Sequence, residues 1–481
     1  MKVSKTTSVR EEHGCNIYSI AFSQDILVEE LNNRNKCYYR TFCSCAGPYV
    51  TVYKIQVFDL IDGDVFTGPS GPMLVHQSYV DVHPEEEFWA CAFGGRSFLP
   101  TKPTKLPALK KQQSNSKEGK PKKRKEQGSM VECEEEADTS MHEEFLSSND
   151  DDDEPLRINL DQQPTGPQLL CAAGKNRTIQ VIDTTQQKLW MSLQGHGDEI
   201  NCLKFHPIDN NILASASNDK SVRLWNLRNG TNIAILAGHE GHKDIVLAAG
   251  WHPTGEKLVT GGHDNLVKIW NMEEGTDIHK AMQDSYKIEL TQNETATTKS
   301  SRQKAAKRQN LDLSQQLVQA KDYFKPVICQ FPIHSTHKVH YQPVDCVDFI
   351  VSPMLLTKAS TKIVLWYPNY VNEENPAVVH PAPADLVATF KTFEIADTPE
   401  EVFFYRFATC PAGKLVAAGN SQAEVFLFDV DAKSSNALAK LVAHPKIATH
   451  VRMTAFSPDG RILLCCCDDG TIAKWDIRTK N

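Results

Sequence analysis

Two tandem segments of this chain repeat a histidine, an aspartate and a tryptophan at matching positions. The residues are His196, Asp219 and Trp225 in the first segment, and His242, Asp264 and Trp270 in the second. Each aspartate falls in a turn between two alternating strand-like runs. Its carboxylate can accept a hydrogen bond from the histidine ring. In the first segment the ring can also contact the hydroxyl of Ser215 or Ser217, which can accept from the indole N–H of Trp225. This pattern favours a structural network over catalysis or metal binding.

Short antiparallel strands are the elements that would position these side chains. The first segment opens with GHGDEINCLKFHP and closes at Trp225-Asn226, and the second closes at Trp270-Asn271. A period of about 40–45 residues with a Gly-His start and a Trp-Asp-like end is typical of one propeller blade of four strands. We therefore expect each segment to form a blade.

Related closing sequences recur along the chain. They are Tyr53, Ile182-Asp183, Trp225-Asn226, Trp270-Asn271, Trp366, Phe428-Asp429 and Trp475-Asp476, with Asp469 ahead of the last tryptophan. These closures predict an all-β fold, a seven-bladed propeller that uses residues 1–481 as a single domain. Closing the ring removes the exposed sheet edges that promote aggregation.

Two inserts interrupt the predicted blades. Residues 98–166 run first basic and then acidic, with few large apolar residues. Such a segment buries too little surface to offset its ordering entropy, so we expect disorder there. Residues 287–325 form a second polar and basic insert, with one short helix expected near 313–321.

Composition limits the classes of function. No run is long and apolar enough to cross a membrane, and the N-terminus lacks a signal-peptide hydrophobic region. The 14 cysteines are scattered without a CxxC pair, which indicates a reduced, intracellular protein without a zinc site. His334, His337 and His340 repeat every third residue, but extended, proline-bounded sequence would not converge them on a metal. No catalytic constellation has supporting context, so we expect neither an enzyme nor a cofactor.

A compact basic run lies inside the first insert. It consists of Lys120, Pro121, Lys122, Lys123, Arg124 and Lys125. The run resembles a nuclear localisation signal, with a phosphate-contacting patch as the second interpretation and a solvated charge run as the third. A net charge of −8 argues against a generally basic nucleic-acid binder.

Aromatic residues stand where the predicted blades begin. They are Tyr18, Trp89, Phe403 and Phe404. Composition alone makes them core residues. Loops at one mouth of a propeller channel can, however, gather aromatic faces from distant blades, and each desolvated face attracts a quaternary ammonium group by about 0.5–2 kcal/mol.

The combined motifs resemble one WD-repeat family, the embryonic ectoderm development (extra sex combs) family of Polycomb repressive complex 2 subunits. The resemblance rests on QSYVDVHPEEEFWACAF, GHGDEINCLKFHP, NDKSVRLWN, EGHKDIVLAAGWHPTGEKLVTGGHDNLVKIWNM, VDCV near Cys346 and CDDGTIAKWD. It covers nearly all of the chain outside the two inserts.

The resemblance implies a binding site at one mouth of the channel. Family members hold trimethyl-lysine of a histone H3 tail in an aromatic cage. The matching positions here are Tyr18, Trp89, Phe403 and Phe404 for the cage, and Asp345 and Arg452 for contacts with the histone backbone. Phenylalanine in place of tyrosine loses a hydroxyl and keeps the aromatic face.

The resemblance also implies a function. It predicts a non-catalytic, nuclear scaffold and histone-tail reader of a Polycomb repressive complex 2-like histone H3 lysine-27 methyltransferase. The expected partners are the SET-domain catalytic subunit, a trimethylated histone H3 tail and other subunits of that complex, without membrane or sequence-specific nucleic acid. The alternative is a generic WD40 adaptor of another nuclear complex without methyl-lysine recognition.

Overall fold

A computed structural model describes residues 2–32, 35–57, 70–94, 167–297, 324–350, 354–368, 387–396, 404–444 and 448–478. These residues belong to one compact unit (Met1–Asp59, Phe66–Ser97 and Pro164–Asn481), and a second unit (Leu60–Val65 and Phe98–Gln163) lies outside the described residues. The first predicted insert, residues 98–166, and its basic run therefore also lie outside them.

The first half of the described chain forms β1 and three blades. The strands are β1 (Lys2–Arg10); β2 (Ile17–Asn32), β3 (Asn35–Ala46), β4 (Tyr49–Val57) and β5 (Met73–Val80) in blade one; β6 (Phe88–Phe93), β7 (Leu169–Gly174), β8 (Ile179–Asp183) and β9 (Lys188–Leu193) in blade two; and β10 (Ile200–Phe205), β11 (Ile212–Ser217), β12 (Val222–Asn226) and β13 (Thr231–Leu236) in blade three.

The second half forms four more blades and one helix. The elements are β14 (Val246–Trp251), β15 (Lys257–Gly262), β16 (Val267–Asn271), α1 (Asp277–Thr297), β17 (Val327–Cys329) and β18 (His334–Thr336) around blade four; β19 (Val344–Phe349), β20 (Leu355–Ala359), β21 (Lys362–Pro368) and β22 (Val387–Glu394) in blade five; β23 (Ala408–Thr409), β24 (Leu415–Gly419), β25 (Glu424–Asp429) and β26 (Ala439–Val442) in blade six; and β27 (Val451–Phe456), β28 (Ile462–Cys467) and β29 (Thr471–Arg478) in blade seven.

The predicted seven-bladed propeller is confirmed. Each predicted closing sequence lies on the third strand of its sheet, from Tyr53 in β4 to Trp475 in β29. Seven hydrophobic clusters among the described residues lie between neighbouring blades, including one that joins blade one to blade seven. The core is therefore a ring of interfaces between sheets.

Strand β1 completes blade seven by pairing antiparallel with β29 at the edge of that sheet. The register shifts between Lys5 and Thr7, which turns the strand over at that point. Val3 consequently packs in the cluster between blades six and seven, whereas Val9 packs in the cluster between blades seven and one.

Helix α1 was not predicted, and it overlaps the second predicted insert. Thr276 caps its start, because the Thr276 Oγ1 atom accepts from the His279 backbone N–H at 3.1 Å. Ile278, Ala281 and Ser285 form its buried face and pack with blade three. β17 then pairs parallel with β13 as a fifth strand of that blade, while residues 298–323, including the helix expected near 313–321, lie outside the described residues.

No helix in the described part of the chain combines the length and apolar character of a membrane span.

Candidate functional site

The His–Asp–Trp sets of blades three and four form the predicted hydrogen-bond networks. In blade three the Trp225 Nε1–H donates to Ser215 Oγ at 2.8 Å. Ser215 Oγ lies 2.7 Å from His196 Nε2, and His196 Nδ1 lies 2.8 Å from Asp219 Oδ2. The hydroxyl partner is therefore Ser215, and Ser217 bonds elsewhere.

Blade four repeats this network with a threonine. The Trp270 Nε1–H donates to Thr260 Oγ1 at 3.0 Å, and Thr260 Oγ1 lies 2.8 Å from His242 Nε2. His242 Nδ1 lies 3.0 Å from Asp264. Burial lowers the pKa of His242, although the Asp264 hydrogen bond opposes this. A neutral ring then accepts from the threonine and donates to the carboxylate, so both ring nitrogens have a partner.

Blade five contains a network that the sequence interpretation missed. His340, the last histidine of the apparent metal-like triplet, has its Nε2 atom 2.7 Å from Thr357 Oγ1. The Trp366 Nε1–H donates to the same hydroxyl at 2.9 Å. His334 instead contacts the Trp366 ring, with 6.1 Å between ring centroids. The sequence contains this histidine, threonine and tryptophan at the spacing of the other blades, which could have revealed the network. The turn before Trp366 lacks the aspartate found in blades three and four.

Blade seven keeps only the turn of this pattern. The Asp469 carboxylate accepts from the Thr471 backbone N–H at 3.1 Å and from its hydroxyl at 2.9 Å, much as Asp219 accepts from Ser221. Cys465 takes the place of the hydroxyl residue opposite Ala473 on β29. Trp475 is buried in the cluster between blades six and seven, where it contributes packing.

Four of the predicted ligand residues, Tyr18, Trp89, Asp345 and Arg452, share a structural position. The innermost strand of six blades has a register shift near its start. The residues at these shifts are Tyr18, Trp89, Asn201, Leu247, Asp345 and Arg452. Bulges re-aim a side chain out of the regular alternation, so these six residues occupy equivalent positions near the starts of their inner strands.

The rings of Trp89 and Phe404 contact each other. Their ring centroids are 6.2 Å apart with the planes tilted by 45°, and both side chains are only partly buried. Phe404 precedes the short strand β23 and has a φ of +67°, which is uncommon for a bulky residue. The two rings thus come from blades two and six. The other predicted cage residue of this segment, Phe403, lies outside the described residues.

Tyr18 faces a cation of the chain itself. The Arg452 guanidinium lies 5.8 Å from the centroid of the Tyr18 ring and 5.3 Å from that of Tyr405. Asp468 accepts two hydrogen bonds from this guanidinium, each 2.7 Å long. The Arg452 guanidinium of blade seven therefore lies close to aromatic rings of blades one and six.

Asp345 lies buried beside a lysine of the adjacent strand. It is 1% exposed, and its two carboxylate oxygens lie 3.1 and 3.0 Å from Lys358 Nζ. Burial raises the pKa of Asp345, and Lys358 opposes that rise. Both oxygens of this carboxylate are thus engaged by Lys358, and the peptide contact that the resemblance implied for Asp345 stays a prediction.

This geometry suits a cation of low hydration. The partly exposed rings of Trp89 and Phe404 can attract a quaternary ammonium group, and the Arg406 guanidinium already lies 5.7 Å from the centroid of the Phe404 ring. The Asp468 carboxylate neutralises Arg452, which limits repulsion of a second cation. Within the described ranges, His, Cys, Asp and Glu form no group of three that could hold a metal ion.

The seven sheets, three of them with a His–hydroxyl–Trp network, define the class of protein as a WD-repeat β-propeller. The WD domain, G-beta repeat family matches residues 187–226, 230–271 and 436–476. Polycomb protein esc of Drosophila melanogaster is 33% identical over 477 residues, covering 98% of this chain and 84% of that protein. The chain belongs to this extra sex combs family of Polycomb proteins.

Two solved structures share the fold. A chain of the crystal structure of the Chaetomium thermophilum polycomb repressive complex 2 has a TM-score of 0.62 at 14% identity, covering 99% of this chain and 98% of that one. A chain from the structure of ctPRC2 in complex with H3K27me3 and H3K27M has a TM-score of 0.61 at 15% identity, covering the same two shares.

Proposed function

We propose that this chain is the WD-repeat scaffold of a nuclear Polycomb repressive complex 2-type histone H3 lysine-27 methyltransferase and binds trimethyl-lysine of the histone H3 tail. The pairing of Trp89 with Phe404 carries the reader part of the proposal. These rings come from blades two and six, lie 6.2 Å apart and stay partly exposed. The family membership and the complex in which the solved neighbours occur support the scaffold part.

The aromatic rings determine which form of lysine the site prefers. A trimethylammonium group cannot donate hydrogen bonds and holds water weakly, so aromatic faces replace its hydration at little cost. An unmodified lysine holds its water more strongly and would lose hydrogen bonds at the same site. The mouth therefore selects the methylated form.

Peptide titration by calorimetry tests the reader part. We expect a histone H3 peptide trimethylated at lysine 27 to bind at least about tenfold more tightly than the unmodified peptide, since several faces each contribute about 0.5–2 kcal/mol. Trp89→Ala should remove most of this preference, and Trp89→Phe should keep part of it. Trp190→Ala is the matched control, because Trp190 is also partly buried but lies on the outer strand β9. Equal affinity for both peptides in the wild type would reject methyl-lysine recognition.

A second candidate function is an adaptor without methyl-lysine recognition. Arg452 favours it, because its guanidinium already covers the Tyr18 face. Affinity purification of the full chain separates the two scaffolding roles. A SET-domain methyltransferase and other subunits of the complex should co-purify under the first proposal and be absent under a generic adaptor role.

A further inference from the structure

Neighbouring blades hold the aromatic segment Phe404–Arg406. β23 of blade six begins only at Ala408 and has two residues. On one side of this segment, the Arg406 backbone N–H donates to the Arg452 carbonyl of blade seven at 2.8 Å. The position of the Phe404 ring therefore depends on what the segment meets across the blade interfaces.

Blade five supplies the other side. The Tyr405 backbone N–H donates to Asp345 Oδ2 at 3.4 Å. Lys358, on the adjacent strand β20, binds both oxygens of that carboxylate, and its Nζ lies 5.7 Å from the centroid of the Tyr405 ring. Lys358 and Asp345 are each about 1% exposed, so no solvent replaces either partner.

We propose that Asp345 and Lys358 are positioning residues for the aromatic site: their buried ion pair holds the Tyr405 backbone and ring, and thereby fixes Phe404 against Trp89. The left-handed φ of Phe404 supports this role. An L-residue in that region is disfavoured and persists only where its surroundings over-determine it. Tyr405, the next residue, is the one that this pair contacts. The inference deepens the proposed reader function and rests on it.

A buried pair that serves stability alone would behave differently from a positioning pair. Changing only one partner leaves an uncompensated buried charge and destabilises any protein. Changing both partners to neutral residues of similar size removes that penalty. Asp345→Asn combined with Lys358→Met is therefore the informative variant, because it separates stability from geometry.

The experiment measures peptide affinity and local geometry in the same variants of the full chain. Affinity for the trimethylated histone H3 peptide comes from calorimetry, and thermal unfolding is followed in parallel. Incorporated 5-fluorotryptophan gives a ¹⁹F resonance for Trp89, assigned by its loss in Trp89→Phe, which senses the neighbouring Phe404 ring without ligand. The matched control is Arg40→Met combined with Asp459→Asn, which removes another largely buried ion pair, 3.2 Å between Arg40 and Asp459, on blades one and seven.

We expect the double variant to unfold near the wild-type temperature, to bind the peptide at least about tenfold more weakly and to shift the Trp89 resonance. The Arg40→Met, Asp459→Asn control should leave affinity and resonance unchanged. Wild-type affinity with an unmoved resonance in the double variant would overturn the positioning role. Should the wild type not bind the peptide, the reader function fails, and the ¹⁹F shift still decides whether the pair fixes Phe404.

Discussion

At the scale of single residues, one hydroxyl links the tryptophan and the histidine in each of three blades. Ser215, Thr260 and Thr357 each accept from an indole N–H and contact a histidine Nε2 atom. These atoms are buried, so a lost hydroxyl strands two polar groups at once. The shared hydroxyl is thus the most sensitive atom of each network.

Thr260→Val tests this sensitivity, because valine keeps the shape and removes the oxygen. The Trp270 indole and His242 would each lose a partner, so we expect the free energy of unfolding to fall by about 2–5 kcal/mol. Thr260→Ser, which keeps the hydroxyl as blade three does with Ser215, should cost about 1 kcal/mol for the lost methyl. Urea unfolding measures both, and equal losses in the two variants would contradict the hydroxyl's role.

Residue types alone predicted part of the site. The networks of His196 and His242 followed from their spacing to an aspartate and a tryptophan, and the aromatic character of Trp89 and Phe404 was evident. The ion pair of Asp345 with Lys358 was not, because no pattern in the chain tells which buried lysine faces a given carboxylate. The cation on Tyr18 was missed for the same reason, since it is supplied by Arg452 of another blade.

At the scale of elements, bulges and edge strands give the propeller its mouth and its closure. A bulge at the start of an inner strand turns one side chain out of the pleat, and six blades repeat it. The sequence predicted the closing strands of all seven blades because a tryptophan or its substitute marks each one. Bulges carry no comparable marker, and neither does the pairing of β1 with β29.

Deletion of residues 2–10 tests the closure. Without β1, the β29 edge loses its partner strand, and two interface clusters lose Val3 and Val9. We expect a lower unfolding temperature and concentration-dependent aggregation, because an unpaired strand edge templates association. Differential scanning fluorimetry and light scattering measure these effects. The paired control is Val3→Ala with Val9→Ala, which thins the packing but keeps the backbone pairing, and it should destabilise without aggregation.

Helix α1 shows where a sequence-based boundary was misplaced. The polar composition after residue 287 marked an insert, yet the helix starts earlier and packs through Ile278, Ala281 and Ser285 at helical spacing. The Asn226 side-chain amide donates to Ser285 Oγ at 2.8 Å. Because the apolar face is short and the flanking residues are polar, tertiary contacts with blade three, more than local propensity, account for this helix.

At the scale of the whole molecule, three neighbouring blades bury a histidine that must stay neutral. Burial is the largest cause of the lowered pKa of His196, His242 and His340. For His340 the pKa falls to about 4, since no aspartate offsets the burial and Lys358 adds a positive charge nearby. Mild acid is therefore expected to destabilise three adjacent blades of the propeller together.

The direction in which pH changes stability follows from the histidine pKa values in the folded and unfolded chain. An unfolded histidine has a pKa of about 6.5, whereas the folded chain holds His340 near 4. As pH falls below about 6.5 the unfolded state binds the proton first, so stability present above that pH is lost as pH falls toward 4, by about 1.4 kcal/mol per pH unit for this histidine. His196 and His242 change stability in the same direction.

The measurement is urea unfolding of the full chain at pH 7, 6 and 5. The histidine partners of Asp219 and Asp264 hold the pKa values of these carboxylates low, against the effect of burial. Both carboxylates therefore remain ionised over this pH range. His340→Asn removes one buried titrating group and can keep a hydrogen bond to Thr357. Between pH 6 and 5 its stability should fall less steeply than that of the wild type, by about 1.4 kcal/mol per pH unit. Parallel pH profiles for the two proteins would show that His340 takes up its proton in the folded ring as readily as in the unfolded chain. Acid sensitivity of the propeller would then have to come from groups outside the network of blade five.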